Sequence, residues 1–285
     1  ISELRNELRE VVDTYSPEFL YFVDDSFLAR PKQEIFEFCE MYSEFGLPFW
    51  FNTRPENCKK DVLEAIRKAG AYRISFGIEC GNDEYRRKVL LRYVDNKKIT
   101  DSFSRIADSG IPFSINLIIG FPGETRELVM DTVKLVRTLN GYDTLTVSIF
   151  TPYHGTRLRE VAVRNGWLDP STITVHTTSS SLLQMPKPYL SAPDIDGLMR
   201  VLPLYCYFPE VQWKDIRRAE IDDVEGNKIL GEFMEIYQQD FLGQTQDDTK
   251  RLLIKGGTGC QTNVKDSFFI APRRLNEAEL MNLQP

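Results

Sequence analysis

Long hydrophobic runs are missing from this 285-residue chain, and nowhere do about 18 apolar residues follow one another, so no membrane-spanning helix is expected. No signal-peptide pattern opens it. Basic charge is not in excess: 35 Lys and Arg face 42 Asp and Glu, a net charge of −7 that offers no global field for nucleic acid. Histidine is scarce, and His154 and His176 lie too far apart for metal-ligand spacing. The five cysteines (Cys39, Cys58, Cys80, Cys206, Cys260) form no Cys-x-x-Cys or Cys-x-x-x-Cys. Their spacing therefore gives neither a disulfide framework nor a metal cluster, and the reduced thiols of a cytoplasmic protein are expected. An initiating methionine is also missing; the chain opens on Ile1, as a fragment would. What is present is an apolar content of 42%, enough for one large α/β domain, or one domain plus an extension.

The most informative stretch is Ile111 to Thr125. Phe113 to Ile119 is a β-branched apolar run that predicts a buried strand, and it stops at Gly120, Pro122 and Gly123, a turn no continuing strand tolerates. Glu124 and Thr125 open an amphipathic helix reaching Leu139, with Leu128, Val129, Val133, Leu135 and Val136 as its apolar positions. Gly120 and Gly123 let backbone approach something flat or bulky. Asn116 is the strongly polar side chain inside the strand; a buried amide needs partners, so it either braces the turn or meets a ligand.

The same strand–turn–helix unit recurs. Helices are predicted at Ser2 to Tyr15, Gln33 to Phe45, Lys60 to Ala69, Asp83 to Leu91, Lys97 to Ser109 and Arg157 to Asn165, and strands at Phe19 to Val23, Pro48 to Phe51, Tyr72 to Ile78 and Thr144 to Phe150. Five strands alternating with helices at a spacing of about 25–40 residues are the mark of βαβ units and a parallel sheet. The residues just past the strands are polar: Asp24 and Asp25, Asn52 and Arg54, Glu79 and Asn82, Glu124, Thr151 and Tyr153. In a parallel barrel these ends share one rim, where function sits. Several have plainer readings. Asp61 and Asp83 read as helix caps. Glu79 serves either a ligand or a salt bridge to Arg73 or Arg92. Arg86, Arg87 and Lys88 read as a solvated face. Cys39 reads as core and Cys80 as a small apolar filler. Phe49, Trp50 and Phe51 read as strand packing rather than a substrate platform. The paired Asp24 and Asp25 can contact substrate or act as a base, or else one caps the following segment and the other is solvated; Asp25 is the candidate.

After Asp169 the alternation ends. Pro170 to Pro188 is polar with a Thr/Ser cluster, Asp194 to Tyr207 and Gly226 to Phe241 are predicted helical, and Gln244 to Asp248 is a loop. Gly256-Gly257-Thr258-Gly259 reads as a plain turn, since it lacks the lysine of a phosphate loop. The domain boundary is therefore expected at 168, with a mostly helical extension over 169–285.

Four segments carry a family resemblance. Phe19-Leu-Tyr-Phe-Val-Asp-Asp-Ser-Phe27, Gly77-Ile-Glu-Cys-Gly81 with Arg92 beyond it, Asn116-Leu-Ile-Ile-Gly-Phe-Pro-Gly-Glu-Thr125 and Phe150-Thr-Pro-Tyr-His-Gly-Thr156 resemble radical S-adenosylmethionine enzymes. The subgroup that carries a cobalamin-binding domain ahead of the radical domain, with its anaerobic cyclases and methyltransferases, is the most similar. The resemblance runs from Phe19 to about Trp213 and rests on four motifs in the right order at strand ends.

The resemblance implies an α/β fold, a partial (β/α)6 TIM-like barrel missing its first strand, and a [4Fe–4S] cluster whose Cys-x-x-x-Cys-x-x-Cys loop lies upstream of residue 1. It implies that Arg92 meets the methionine carboxylate, that Glu79 and Asn116 meet the ribose hydroxyls, and that Gly120, Pro122, Phe150 and Tyr153 form the adenine wall, the carboxylate, amide and guanidinium gathering around one adenosyl ligand. The reaction implied is radical chemistry on a small-molecule or natural-product substrate, as methyl transfer or oxidative cyclisation. Cobalamin is a candidate cofactor and an upstream cobalamin-binding domain a candidate partner. A catalytically inactive or scaffolding barrel without a cluster is the competing expectation.

Overall fold

The computed structural model describes residues 1–175 and 180–242. His176, the Gln244–Asp248 loop, the Gly256–Gly259 turn and Cys260 lie outside the described residues. Five strands form one parallel sheet in the order β1-β2-β3-β4-β5: β1 (Leu20–Phe22), β2 (Phe49–Thr53), β3 (Ala71–Glu79), β4 (Phe113–Ile119) and β5 (Thr144–Ile149). α1 (Ser2–Tyr15) precedes β1, and between the strands lie α2 (Lys32–Tyr42), α3 (Lys60–Lys68), α4 (Asp83–Lys88), α5 (Asn96–Asp108) and α6 (Arg126–Thr138). After β5 the described residues include four helices, α7 (Arg157–Arg164), α8 (Ala192–Tyr207), α9 (Trp213–Ala219) and α10 (Val224–Leu242). No helix among the described residues is long and apolar enough to cross a membrane.

By compactness the chain divides into two interleaved units, one of residues 1–78, 94–116 and 139–143, the other of 79–93, 117–138 and 144 onward. In the first unit the alternation of β2 is plain: Phe49, Phe51 and Thr53 are buried, while Trp50 and Asn52 are half-buried. Phe49 and Phe51 enter an aromatic core with Phe22, Phe27, Phe38 and Tyr42, largely edge to face, as for Phe22 and Phe38 at 5.6 Å between centroids. Each such ring contributes about 1.5–3 kcal/mol by burial alone. Cys39 is buried among these core residues, as its place on α2 predicts.

Trp50 departs from plain packing: its indole N–H donates to Ser75 Oγ at 2.8 Å, and Ser75 Oγ lies 2.7 Å from Ser114 Oγ. The Tyr21 ring lies tilted against Trp50 at 4.9 Å between centroids, and its hydroxyl accepts from the Asn52 amide at 2.7 Å. Arg73, one expected partner of Glu79, is bound by Asp143, with Nη1 to Oδ2 at 2.8 Å.

The helix starts follow local capping chemistry. Asp95 caps α5 by accepting from the Lys98 N–H at 2.7 Å. Ser191 and Asp194 form a reciprocal capping box on α8, which is why that helix begins at Ala192 rather than at Asp194. α9 was not legible in the sequence; it follows a short 3-10 turn at Glu210–Gln212 and buries only Ile216 and Ala219.

Candidate functional site

In the second unit two chain segments meet: the end of β3 with α4 and the residues after it, and the turn after β4 with the start of α6. Glu79 is the last residue of β3 and has φ 66, a left-handed conformation that a residue with a side chain rarely adopts. Its carboxylate lies 3.6 Å from the Arg92 guanidinium, and both side chains are largely enclosed. Leu91, directly before Arg92, is also left-handed, with φ 55. The structure thus brings Glu79 and Arg92 together, with strained backbone on each side of the pair.

The residues between them form a scaffold. Gly81 donates its N–H to Thr132 Oγ1 at 2.8 Å, and a Cβ added there would meet the Thr132 Cα at 2.4 Å, so only glycine fits against α6. Asn82, expected among the polar strand ends, has a structural role. Its carbonyl oxygen caps α4 by accepting from the Tyr85 N–H at 2.9 Å, and its amide donates to Asp131 at 2.8 Å. Cys80 is buried, as a filler would be, and burial, assisted by the Glu124 charge, pushes its thiol up to about 11.

The basic run is not uniformly a solvated face. Arg87 and Lys88 are exposed, but Arg86 is fully buried; its Nη1 donates to the Cys80 carbonyl at 2.7 Å and its Nη2 pairs with Asp83. A guanidinium can enter the interior because that carbonyl and that carboxylate are there to receive its fork. Asp83 is accordingly an ion-pair partner, and the cap of α4 is Asn82.

The turn after β4 is organised by Glu124. This side chain is 1% exposed and its carboxylate accepts the Gly120 N–H at 2.6 Å and the Phe121 N–H at 3.2 Å. Burial pushes its carboxyl up to about 8, against the opposing pull of those two amides. It is therefore not a solvent-facing rim residue; it satisfies the backbone of its own turn. A carboxylate directly after a Gly-Phe-Pro-Gly turn was the signal in the sequence.

Gly120 has φ 82 and faces Ile195 of α8, whose Cδ1 would lie 2.9 Å from an added Cβ, so its own side packs an aliphatic chain. Pro122 is buried and its carbonyl accepts from the Tyr85 hydroxyl at 2.9 Å. Phe150 donates its N–H to the Ile119 carbonyl at 2.8 Å, and its ring lies tilted against Phe121 at 5.3 Å between centroids. Tyr153 is exposed, in a turn closed by the Thr156 hydroxyl donating to its carbonyl at 2.7 Å.

The residues after Trp167 reach back to this turn. Gly123 donates its N–H to Met185 Sδ at 3.2 Å, Leu190 donates to the Glu124 carbonyl at 3.0 Å, and Trp167 and Tyr189, 5.2 Å apart, both lie near Gly123.

The two remaining sequence candidates belong to the first unit. Asn116 is half-buried within β4. Asp25 is exposed. Its neighbour Asp24 accepts from Arg30 at 2.8 Å and from the Ser26 N–H at 3.0 Å; the Arg30 contact, then the Ser26 amide, hold its carboxyl below the usual range.

Residues 1–136 match the sequence profile of the radical SAM superfamily. That match covers just under half of the chain, 136 of its 285 residues. An uncharacterized methyltransferase of Pyrococcus horikoshii is 27% identical over 204 residues, covering 71% of this chain and 44% of that protein. The anaerobic magnesium-protoporphyrin IX monomethyl ester cyclase of Rubrivivax gelatinosus is 26% identical over 156 residues, covering 52% of this chain and 27% of the cyclase. Among solved structures, the cobalamin-dependent S-adenosylmethionine radical enzyme OxsB superposes with a TM-score of 0.50 at 12% identity, covering 89% of this chain and 44% of that one, a likeness of fold. The chain spans less than half the length of the curated relatives it matches.

The superfamily implies S-adenosylmethionine and a [4Fe–4S] cluster. For the nucleotide the donor set fits: a carboxylate suited to ribose hydroxyls and a guanidinium suited to a carboxylate stand side by side at a strand end. For the cluster the described residues do not fit. No group of three His, Cys, Asp or Glu positioned to hold a metal occurs among them, and Cys39, Cys58, Cys80 and Cys206 are each buried singly.

Proposed function

We propose that this chain is the S-adenosylmethionine-binding core of a radical SAM enzyme, with a barrel domain over 1–168 and an extension over 169–285. The observation that supports it is the Glu79–Arg92 pair at the end of β3, with left-handed backbone at Glu79 and at Leu91, the residue before Arg92. Backbone of that kind costs about 1–3 kcal/mol per residue and clusters at active sites and ligand clamps. On this reading Arg92 takes the methionine carboxylate and Glu79 the ribose hydroxyls. Each then exchanges a contact with its neighbour for one with ligand. Gly120, Pro122, Phe150 and Tyr153 line the adenine. The assignments of Asn116 to the ribose and of Asp25 to substrate or proton transfer rest on the family resemblance alone.

Arg92 and Glu79 would hold S-adenosylmethionine, which would supply a sulfonium open to reductive cleavage by one electron from the cluster proposed upstream, with methionine as the leaving group. The protein's part is to orient that group and to keep water from it, which the enclosed Glu124-braced turn suits. Methyl transfer is favoured by the name of the Pyrococcus horikoshii relative, and oxidative cyclisation by that of the Rubrivivax gelatinosus cyclase. Cobalamin, a cobalamin-binding domain upstream and a cluster loop upstream are proposed on the resemblance.

A tRNA-2-methylthio-N(6)-dimethylallyladenosine synthase of Clostridium botulinum also matches, at 29% identity over 111 residues, but a net charge of −7 favours a small-molecule or natural-product substrate over a polyanion. A cytoplasmic location is proposed from the free thiols of the four described cysteines.

Equilibrium dialysis of the whole chain against radiolabelled S-adenosylmethionine tests the reading. Glu79→Gln and Arg92→Met are each expected to weaken binding by about tenfold or more. A wild-type chain that takes up no nucleotide would leave the scaffolding barrel as the better account.

A further inference from the structure

Arg86 heads the fully buried side chains of the described residues by volume, and the binding reading above gives it no part. Its position is specific. Its Nη1 holds the Cys80 carbonyl at 2.7 Å, fixing the Cys80–Gly81 peptide one residue past Glu79. Its own carbonyl accepts the Arg92 N–H at 3.1 Å, fixing the residue that pairs with Glu79. Its N–H returns to the Asn82 carbonyl at 2.9 Å. One residue thus holds both arms of the pair, and the arms are the places where a left-handed backbone must be maintained, Glu79 at φ 66 and Leu91 at φ 55. A buried guanidinium is an expensive way to fill space, since an apolar side chain of like volume does so without desolvating a charge. Its fork, however, reaches a carbonyl and the Asp83 carboxylate at once, which no apolar side chain can do.

We propose that Arg86 is a positioning residue of the nucleotide site, setting the separation of Glu79 and Arg92 without touching the ligand. The proposal rests on the binding reading given above and adds a residue to it. A residue that acts through Glu79 must lose its effect when Glu79 is disabled, whereas one that only stabilises the fold acts independently of it.

The test is a double-mutant cycle on the full chain, with affinity for radiolabelled S-adenosylmethionine measured by equilibrium dialysis. The proteins are wild type, Glu79→Gln, Arg86→Lys and the double variant. Arg86→Lys keeps the charge and loses the fork, and is expected to weaken binding by about tenfold. Glu79→Gln is expected to cost about tenfold in the wild-type background but less than about twofold beside Arg86→Lys. If Arg86→Lys does not fold, Asp83→Asn, which frees one side of the fork, takes its place in the cycle with a loss of about threefold and the same coupling. Losses that multiply, or unchanged affinity in the Arg86→Lys or Asp83→Asn chain, overturn the role of Arg86. Unchanged affinity in Glu79→Gln alone overturns the underlying site instead.

Discussion

Glu124 receives the N–H of Gly120, four residues upstream, at 2.6 Å, and does so from the interior of the protein. The carboxyl therefore stays protonated in the folded chain to about pH 8, while in the unfolded chain it ionises near 4.5. Between those values the folded state holds a proton that the unfolded state has released. Stability from this group is thus full below pH 4.5 and is lost as pH rises through about 8, by up to a few kcal/mol. Glu124→Gln keeps an acceptor for both amides and cannot ionise. In urea titrations its stability, relative to wild type, is expected to be near equal at pH 5 and higher at pH 8. Parallel pH profiles for the two proteins would refute the assignment.

The strain at Glu79 can be read separately from its charge. Glu79→Ala and Glu79→Gly both remove the carboxylate, but at φ 66 only glycine is relaxed. The glycine variant should be the more stable of the two by about 1 kcal/mol, although glycine is ordinarily the poorer strand residue. Urea midpoints decide the matter, and an alanine variant equal to or better than glycine would show that the left-handed backbone carries no strain.

Arg137 closes the C-terminal end of α8. Its Nη1 donates to the carbonyls of Tyr205, Cys206 and Phe208 at 3.1, 3.2 and 2.8 Å, and its guanidinium lies 5.7 Å from the Trp213 ring. Arg137→Met is expected to lower stability by about 2–4 kcal/mol, since carbonyls at a buried helix end lose their donor. Arg137→Lys should recover part of that, having one cationic donor group in place of a fork. Thermal melts of the pair test this, and a methionine variant as stable as wild type would show that other groups already satisfy those carbonyls.

Much of the fold was legible because its signals are local. β4 occupies Phe113–Ile119 as its β-branched run predicts, since the Gly-Phe-Pro-Gly turn leaves the strand nowhere to continue. The site was legible where a charged group ends an apolar strand, as at Glu79. Arg86 was not, because its burial depends on a carbonyl six residues back and on the Asp83 carboxylate, which charge patterning alone does not reveal. Trp50 was read as packing since alternation tells faces apart but not what a face meets; here the indole meets Ser75, 25 residues away. α9 escaped because seven residues are too few to show a helical period.

The Gly123 amide finds its acceptor in a thioether 62 residues further along the chain, at Met185. Anyone exchanging the C-terminal portion of this protein for that of a cousin at the end of α7 would strip a backbone donor of its sulfur and Glu124 of the Leu190 amide. Grafts meant to change substrate choice should therefore be joined after Leu190, where the Ser191–Asp194 capping box offers a self-contained start.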